Sequence, residues 1–154
     1  MTLPSSFPLS MSQVAAELGL SLPLSLSHPW VLALVNKAGL PVSFTDLLGR
    51  SGSFNGSLTG NAAGGANVQI SFGGAPMFGS TLNVCTLEPS ITTTVLSFNS
   101  VPQYTGNLKL TNNTTGVSLV LPHASGGVWQ NSSSAPANLL RAGFTDSFTL
   151  VPST

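Results

Sequence analysis

The stretch Val42-Ser-Phe-Thr-Asp-Leu-Leu-Gly-Arg-Ser-Gly52 separates two parts of the chain that follow different patterns. Ser43 and Asp46 predict a capped helical turn, because a Ser oxygen and a nearby carboxylate both satisfy free N–H groups at a helix N-terminus. Gly49 ends the turn, since glycine tolerates the left-handed conformation common after a helix. The sequence therefore predicts a helical N-terminal segment over 1–51 and an antiparallel β-domain over 52–154.

The N-terminal segment repeats the same arrangement of a Ser cap, a few apolar residues and a closing glycine. Residues 1–8 predict an extended arm, and Ser10 with Gln13 predicts a capping box for the first helix. Ser27 is the predicted cap of the second helix, with Pro29 in its first turn. Each helix is too short to be stable alone, so we expect it to pack on its neighbours, on the β-domain or on a partner.

After Gly52 the sequence changes to short alternating apolar runs separated by turn residues. Alternation predicts half-buried strands, and Asn112–Gly116 lies between two runs as a hairpin turn would. Many short strands at even spacing favour an antiparallel β-sandwich or barrel, so the predicted fold class is mainly β. The predicted strands span 53–59, 67–72, 81–87, 92–98, 107–111, 117–121, 128–131 and 147–151.

Charged residues are unusually scarce. They make up 5% of the 154 residues, whereas hydrophobic residues make up 42%, and the formal net charge is +0. An ordinary domain has about a quarter charged residues, and interface cores are depleted in charge. The composition thus favours a surface covered in an assembly, such as a homo-oligomer. The alternative is a soluble domain with a polar, uncharged surface.

Several classes of partner and site are disfavoured by the same composition. The scattered Lys and Arg residues form no basic patch in sequence, so nucleic-acid binding is not expected. No apolar run approaches the roughly 18 residues of a membrane span. Cys85 is the only cysteine, which leaves neither a disulfide nor a cysteine zinc site, and we expect it to be buried in a strand. No cofactor is expected.

The sequence contains no recognisable catalytic motif. The stretch Gly49–Ser53 lacks the last glycine of a G-x-S-x-G nucleophile elbow. His28 and His123 suit capping or surface roles, because a catalytic triad depends on geometry that sequence does not supply. Asp146 and Arg141 are expected to form a structural ion pair. We therefore expect a non-enzymatic protein.

Residues 11–52 resemble an N-terminal module of tailed-bacteriophage virion proteins. The resemblance rests on Glu17-Leu-Gly19, Leu24-Ser-Leu26, Val31–Leu34 and Val42–Ser51, where the family has an "ELG" start and a closing "iSxsDLrGKs". Arg50 stands where the family commonly has Lys, and Leu48 where a basic residue is frequent. The resemblance implies a structural component of the tail, tail tip or fibre, often in a symmetric oligomer, and it implies no catalytic residue.

The first hypothesis is therefore a non-enzymatic virion protein, made in the bacterial cytoplasm and assembled with other phage virion proteins. Its N-terminal segment would attach the β-domain, so that deleting the residues before Gly52 would leave a folded but unattached domain. Capsid decoration and recognition of a host receptor or glycan are the alternatives, the last with Tyr104 and Trp129 as a sugar-stacking face. The predicted attachment residues are Leu18, Trp30, Leu34, Phe44, Leu47 and Leu48.

Overall fold

A computed structural model describes residues 2–154 and shows a mainly β protein with short helices at its start. The helices are α1 (Met11–Leu18), α2 (Pro29–Leu34) and α3 (Phe44–Leu47). The strands are β1 (Phe54–Thr59), β2 (Asn61–Ala62), β3 (Val68–Ser71), β4 (Pro76–Met77), β5 (Ser80–Glu88), β6 (Thr93–Phe98), β7 (Asn107–Asn112), β8 (Val117–Leu121), β9 (His123–Ser125), β10 (Val128–Asn131) and β11 (Thr145–Ser153).

The strands form two sheets in a sandwich-like arrangement, which confirms the predicted fold class. The first sheet has the order β1-β11-β7-β8, and the second has the order β2-β3-β5-β6-β10-β9, with β4 paired to β5. All of these strand pairs are antiparallel. The alternation of the sequence places apolar side chains of both sheets between them.

The chain passes from one sheet to the other at each lateral edge of the sandwich. Gly60 joins β1 to β2, and Pro122 joins β8 to β9. At Gly60 an added Cβ would lie 2.2 Å from the Arg141 carbonyl oxygen, so only glycine fits this corner. Gly60 N–H donates to the Phe144 carbonyl, and Gly143 N–H donates to the Gly60 carbonyl, which ties the corner to the start of β11.

The predicted caps are confirmed for α1 and α3 but not for α2. Ser10 with Gln13 and Ser43 with Asp46 both form reciprocal capping boxes. At α2 the cap is His28, not Ser27, because His28 Nδ1 accepts from the Trp30 N–H while Pro29 occupies the first turn. The pKa of Asp46 is lowered to about 2, mainly because its carboxylate accepts a hydrogen bond from the Ser43 N–H. Lys37 Nζ, 2.9 Å from Asp46 Oδ2, lowers it further.

The N-terminal segment and the β-domain share one hydrophobic core. Buried side chains from the arm and helices, such as Leu3 and Val14, belong to the same cluster as those of the sheets. The arm is held by the Leu3 N–H donating to the Arg50 carbonyl and by the Gly49 N–H donating to the Pro4 carbonyl, each at 2.8 Å. The boundary between 51 and 52 thus separates two kinds of secondary structure, but not two cores.

Candidate assembly surface

Glu17 fastens α1 to the first residues of the β-domain. Its side chain is buried, and Oε1 accepts hydrogen bonds from the Gly52 N–H at 2.7 Å, the Ser53 N–H at 3.0 Å and the Ser53 hydroxyl at 2.9 Å. A buried carboxylate is tolerated where several donors surround it. The Ser51 hydroxyl also donates to Glu17 Oε1. The first and last parts of the phage-like segment, at Glu17 and Ser51, are therefore in direct contact.

Half of the predicted attachment residues lie inside the chain's own core. Leu18, Leu34 and Leu47 have no exposed surface. The expectation that they contact neighbouring subunits is wrong for this conformation, because their apolar faces are already covered by the β-domain and by one another. The folding of residues 52–154 alone stays a prediction, and deleting the N-terminal segment would expose side chains of the shared core to water.

The other predicted attachment residues keep part of their surface. Trp30, Phe44 and Leu48 are half-buried, and Trp30 and Phe44 pack on the edge of the core. Their role in attachment stays a prediction.

Within the described part of the N-terminal segment, large apolar side chains are exposed at three positions that were not among the predicted attachment residues. Phe7 is 58% exposed, Leu22 is 55% exposed and Leu40 is 61% exposed. Each lies in an irregular part of the N-terminal segment, directly before a proline. The position before proline does not by itself signal exposure, because Leu3 precedes Pro4 and is buried. We call Phe7, Leu22 and Leu40 the N-terminal apolar residues.

Tyr104 and Trp129 form the centre of a buried aromatic cluster. Tyr104 is 1% exposed and Trp129 is 0% exposed, and burial raises the pKa of Tyr104 to about 12. Tyr104 stacks on Phe78 with ring centroids 4.2 Å apart, and Trp129 packs against Phe98 at 4.9 Å. The predicted sugar-stacking face is therefore wrong, because other rings of the chain cover these two.

The polar atoms of the same cluster are also occupied. Trp129 Nε1–H donates to the Gly106 carbonyl at 2.8 Å, and the Tyr104 hydroxyl donates to the Asn107 carbonyl at 2.6 Å. A cleft of about 230 Å³ opens beside the cluster. Its walls supply no carboxylate, imidazole or thiol; they are Pro29, Trp30, Ala33, Gln103, Tyr104, Thr105 and Gly106.

The Asp146 carboxylate sits next to the Gly60 corner and is held by two side chains. Arg141 forms the predicted ion pair, with Nε 3.0 Å from Oδ2 and Nη2 in contact with Oδ1. Asn112 Nδ2 donates to the same carboxylate at 2.8 Å. The Arg141 hydrogen bonds lower the pKa of Asp146, and its burial acts in the opposite direction.

The remaining reactive groups have structural surroundings. His123 packs against Trp129, and its Nε2 lies 3.0 Å from the Gly126 carbonyl oxygen. Cys85 is buried in β5 as predicted, and desolvation raises the pKa of its thiol to about 12. Among residues 2–154, no three His, Cys, Asp or Glu side chains lie together as metal ligands would.

The outer face of the first sheet is mostly polar, with Val120 and Val151 beside Lys109, and it is almost free of charge. Its rows follow the strand register, as in Asn55–Thr149–Thr111–Ser118 and Ser57–Ser147. Lys109 is the charged residue on this face within the described part of the chain. Hydroxyl and amide groups pair across the strands, for example Thr59 with Thr145 at 2.8 Å.

The described helices are all too short or too polar to cross a lipid bilayer. Comparison of the chain with protein-family models, with curated proteins and with solved structures finds no match.

Proposed function

We propose that this protein is a non-enzymatic structural component of a tailed-bacteriophage virion, located in the tail, tail tip or fibre. The family-like residues around Glu17 and Val42–Ser51 support the proposal. The observation that carries it is the exposure of the N-terminal apolar residues, Phe7, Leu22 and Leu40, on a segment that is otherwise firmly docked.

Leaving apolar side chains in water costs free energy that their burial against a partner would recover. Fully burying an apolar side chain of this size is worth about 1.5–3 kcal/mol, and these residues still have more than half of their surface to bury. The segment that presents them is rigidly joined to the body, since the Glu17 carboxylate binds the backbone at Gly52 and Ser53. A neighbouring virion subunit that covers any of these side chains would therefore bind a segment that is already folded before contact.

The composition supports the same role. Two of the chain's few charges neutralise each other in the Lys37–Asp46 pair, and two more do so in the Arg141–Asp146 pair. Little long-range repulsion then opposes close packing against neighbouring subunits.

The location is tested by gold labelling of purified phage particles with an antibody to this chain. We expect label on the tail or at its end. Label over the head would favour a capsid decoration protein instead, and an accessible epitope without label on intact particles would overturn the virion proposal.

The attachment surface is tested by a triple variant, Phe7→Ser, Leu22→Ser and Leu40→Ser, made in the phage genome. We expect at least about tenfold less of the variant in particles, because the lost apolar burial exceeds the 1.4 kcal/mol that corresponds to a factor of ten. The matched control carries Ile91→Ser and Val101→Ser, which are 61% and 66% exposed on the β-domain. Equal incorporation of both variants would contradict attachment through the N-terminal apolar residues.

A further inference from the structure

β1 is an edge strand whose outer side is open. It pairs with β11 on one side only. In β11 the odd-numbered residues are bonded to the neighbouring strand β7, because the Asn113 N–H donates to the Ser147 carbonyl. The even-numbered residues of β11 therefore bond to β1, where their partners are Phe54, Gly56 and Leu58.

It follows that the backbone groups of Asn55, Ser57 and Thr59 point away from the sheet. The Gly60 N–H bond to the Phe144 carbonyl continues the pattern in which even-numbered residues of this strand bond toward β11. The Thr59 carbonyl accepts from the Asn61 side chain at 3.2 Å. No partner within residues 2–154 covers the outward N–H and C=O groups of Asn55 and Ser57, and both residues are exposed.

β1 also lacks the usual features that protect an edge strand. Natural edge strands carry charges, prolines or bulges that block pairing with another chain. β1 reads Phe-Asn-Gly-Ser-Leu-Thr, and its register with β11 is continuous from Phe54 to Thr59. The residues that extend outward from it are uncharged.

The opposite edge strand, β8, is better covered. The odd-numbered residues of β8 bond to β7, so the backbone groups of Ser118 and Val120 point outward. The Val120 carbonyl accepts from Asn131 Nδ2 at 3.1 Å. The Gln130 N–H also donates to the Pro122 carbonyl at 2.9 Å, which fixes the end of β8 against β10.

We infer that β1 pairs antiparallel with β1 of a second copy of this chain across a two-fold axis, which joins the two first sheets into one. Pairing Asn55 with Ser57 of the second copy uses every open backbone group of both residues and places Gly56 on the axis. A second copy is the favoured occupant because this strand is self-complementary and brings no like charges together. The inference does not depend on the proposed function, since it concerns the β1 edge alone.

The test is the mass of the full-length protein in solution, measured by light scattering over a range of concentrations. We expect twice the chain mass of 15.7 kDa for the wild-type protein. Ser57→Pro removes the outward N–H without removing a bond to β11, so we expect the mass of one chain at concentrations where the wild type is dimeric.

Ser118→Pro is the matched control, because it removes an outward N–H from the opposite edge of the same sheet. We expect it to remain dimeric. A second pair, Ser57→Lys and Ser118→Lys, repeats the comparison with charge instead of backbone, in case proline disturbs the strand. Circular dichroism confirms that each variant is folded.

A wild-type protein with the mass of one chain throughout would overturn the inference. So would a dimer that survives in folded Ser57→Pro and Ser57→Lys. Loss of the dimer in the Ser118 variants alone would assign the pairing to β8 and would equally overturn it.

Discussion

At the two lateral edges of the sandwich, the chain passes between the sheets and is held in place by different contacts. At the β8/β9 edge, β10 closes the gap between the sheets with the Asn131 side chain and with Trp129, whose ring packs on His123. At the β1/β2 edge, a tight corner at Gly60 and the Arg141–Asp146 pair hold the chain in place. The first edge is covered by side chains of β10, whereas the second is fixed by backbone contact at Gly60 together with the Arg141–Asp146 ion pair.

This difference shows that a strand can be fixed in position while the backbone groups on its outer side have no hydrogen-bond partner in the described part of the chain. The corner at Gly60 fixes where β1 runs, but it supplies no donor or acceptor to the outer side of Asn55 and Ser57. The β8 strand receives both its position and part of its cover from β10. An edge can therefore be rigid and still available for pairing.

The largest expected effect is at the covered edge, with Trp129→Ala. Trp129 has no exposed surface and donates to the part-buried Gly106 carbonyl, so its loss opens a cavity and removes that hydrogen bond. We expect a loss of about 4 kcal/mol in the free energy of unfolding, measured by urea titration. The control is Trp30→Ala, which should cost clearly less because Trp30 is half-buried. Equal losses would show that the β8/β9 edge does not depend on Trp129.

Gly60→Ala tests the other edge. The new Cβ would lie 2.2 Å from the Arg141 carbonyl oxygen, and a backbone atom moves only if the corner moves with it. We expect a loss of about 3 kcal/mol in unfolding free energy, at the upper end for overpacking. Gly39→Ala, where an added Cβ meets nothing within 4 Å, should leave stability nearly unchanged. A Gly60 variant as stable as the wild type would show that the corner is not rigid.

Asp146→Asn should produce a smaller effect that depends on pH. Arg141 lowers the pKa of folded Asp146 below its ordinary value of 3.8. The carboxylate therefore stabilises the fold above that value, and this contribution is lost as the pH falls toward the folded pKa. We expect the wild type to lose more stability between pH 7 and pH 3 than the variant does, in urea titrations at each pH.

Asp46 is present in both proteins, and its lowered pKa gives each of them some remaining acid sensitivity. The difference between the two proteins thus isolates Asp146. Parallel pH profiles would contradict a stabilising role for the Arg141–Asp146 pair at the corner.

Much of the fold was predictable because alternation is a local property. Each of the eight predicted strands is present with ends shifted by no more than two residues, as in Val117–Leu121. The missed strands β2, β4 and β9 have two or three residues each, which is too short to show a period. The His28 cap was missed because the neighbouring Ser27 is the commoner capping residue.

The candidate site was less predictable, because an apolar helix face does not reveal what covers it. Leu18 and Leu34 follow helical spacing equally well whether they face the β-domain or a neighbouring subunit. The sequence likewise does not show whether Trp129 and Tyr104 stack on a sugar or on other rings of the chain, such as Phe98 and Phe78. The exposed Phe7, Leu22 and Leu40 belong to no helix or strand, so no periodic pattern marks them in the sequence.

The hydrogen bonds of the Glu17 carboxylate offer a way to observe local opening between α1 and the β-domain. The amide protons of Gly52 and Ser53 are held by a side chain that lies 35 and 36 residues earlier in the chain. They exchange with solvent deuterium only when their bonds to the Glu17 carboxylate open. Their exchange rates therefore report, within the intact protein, how often the contact between α1 and the start of the β-domain opens.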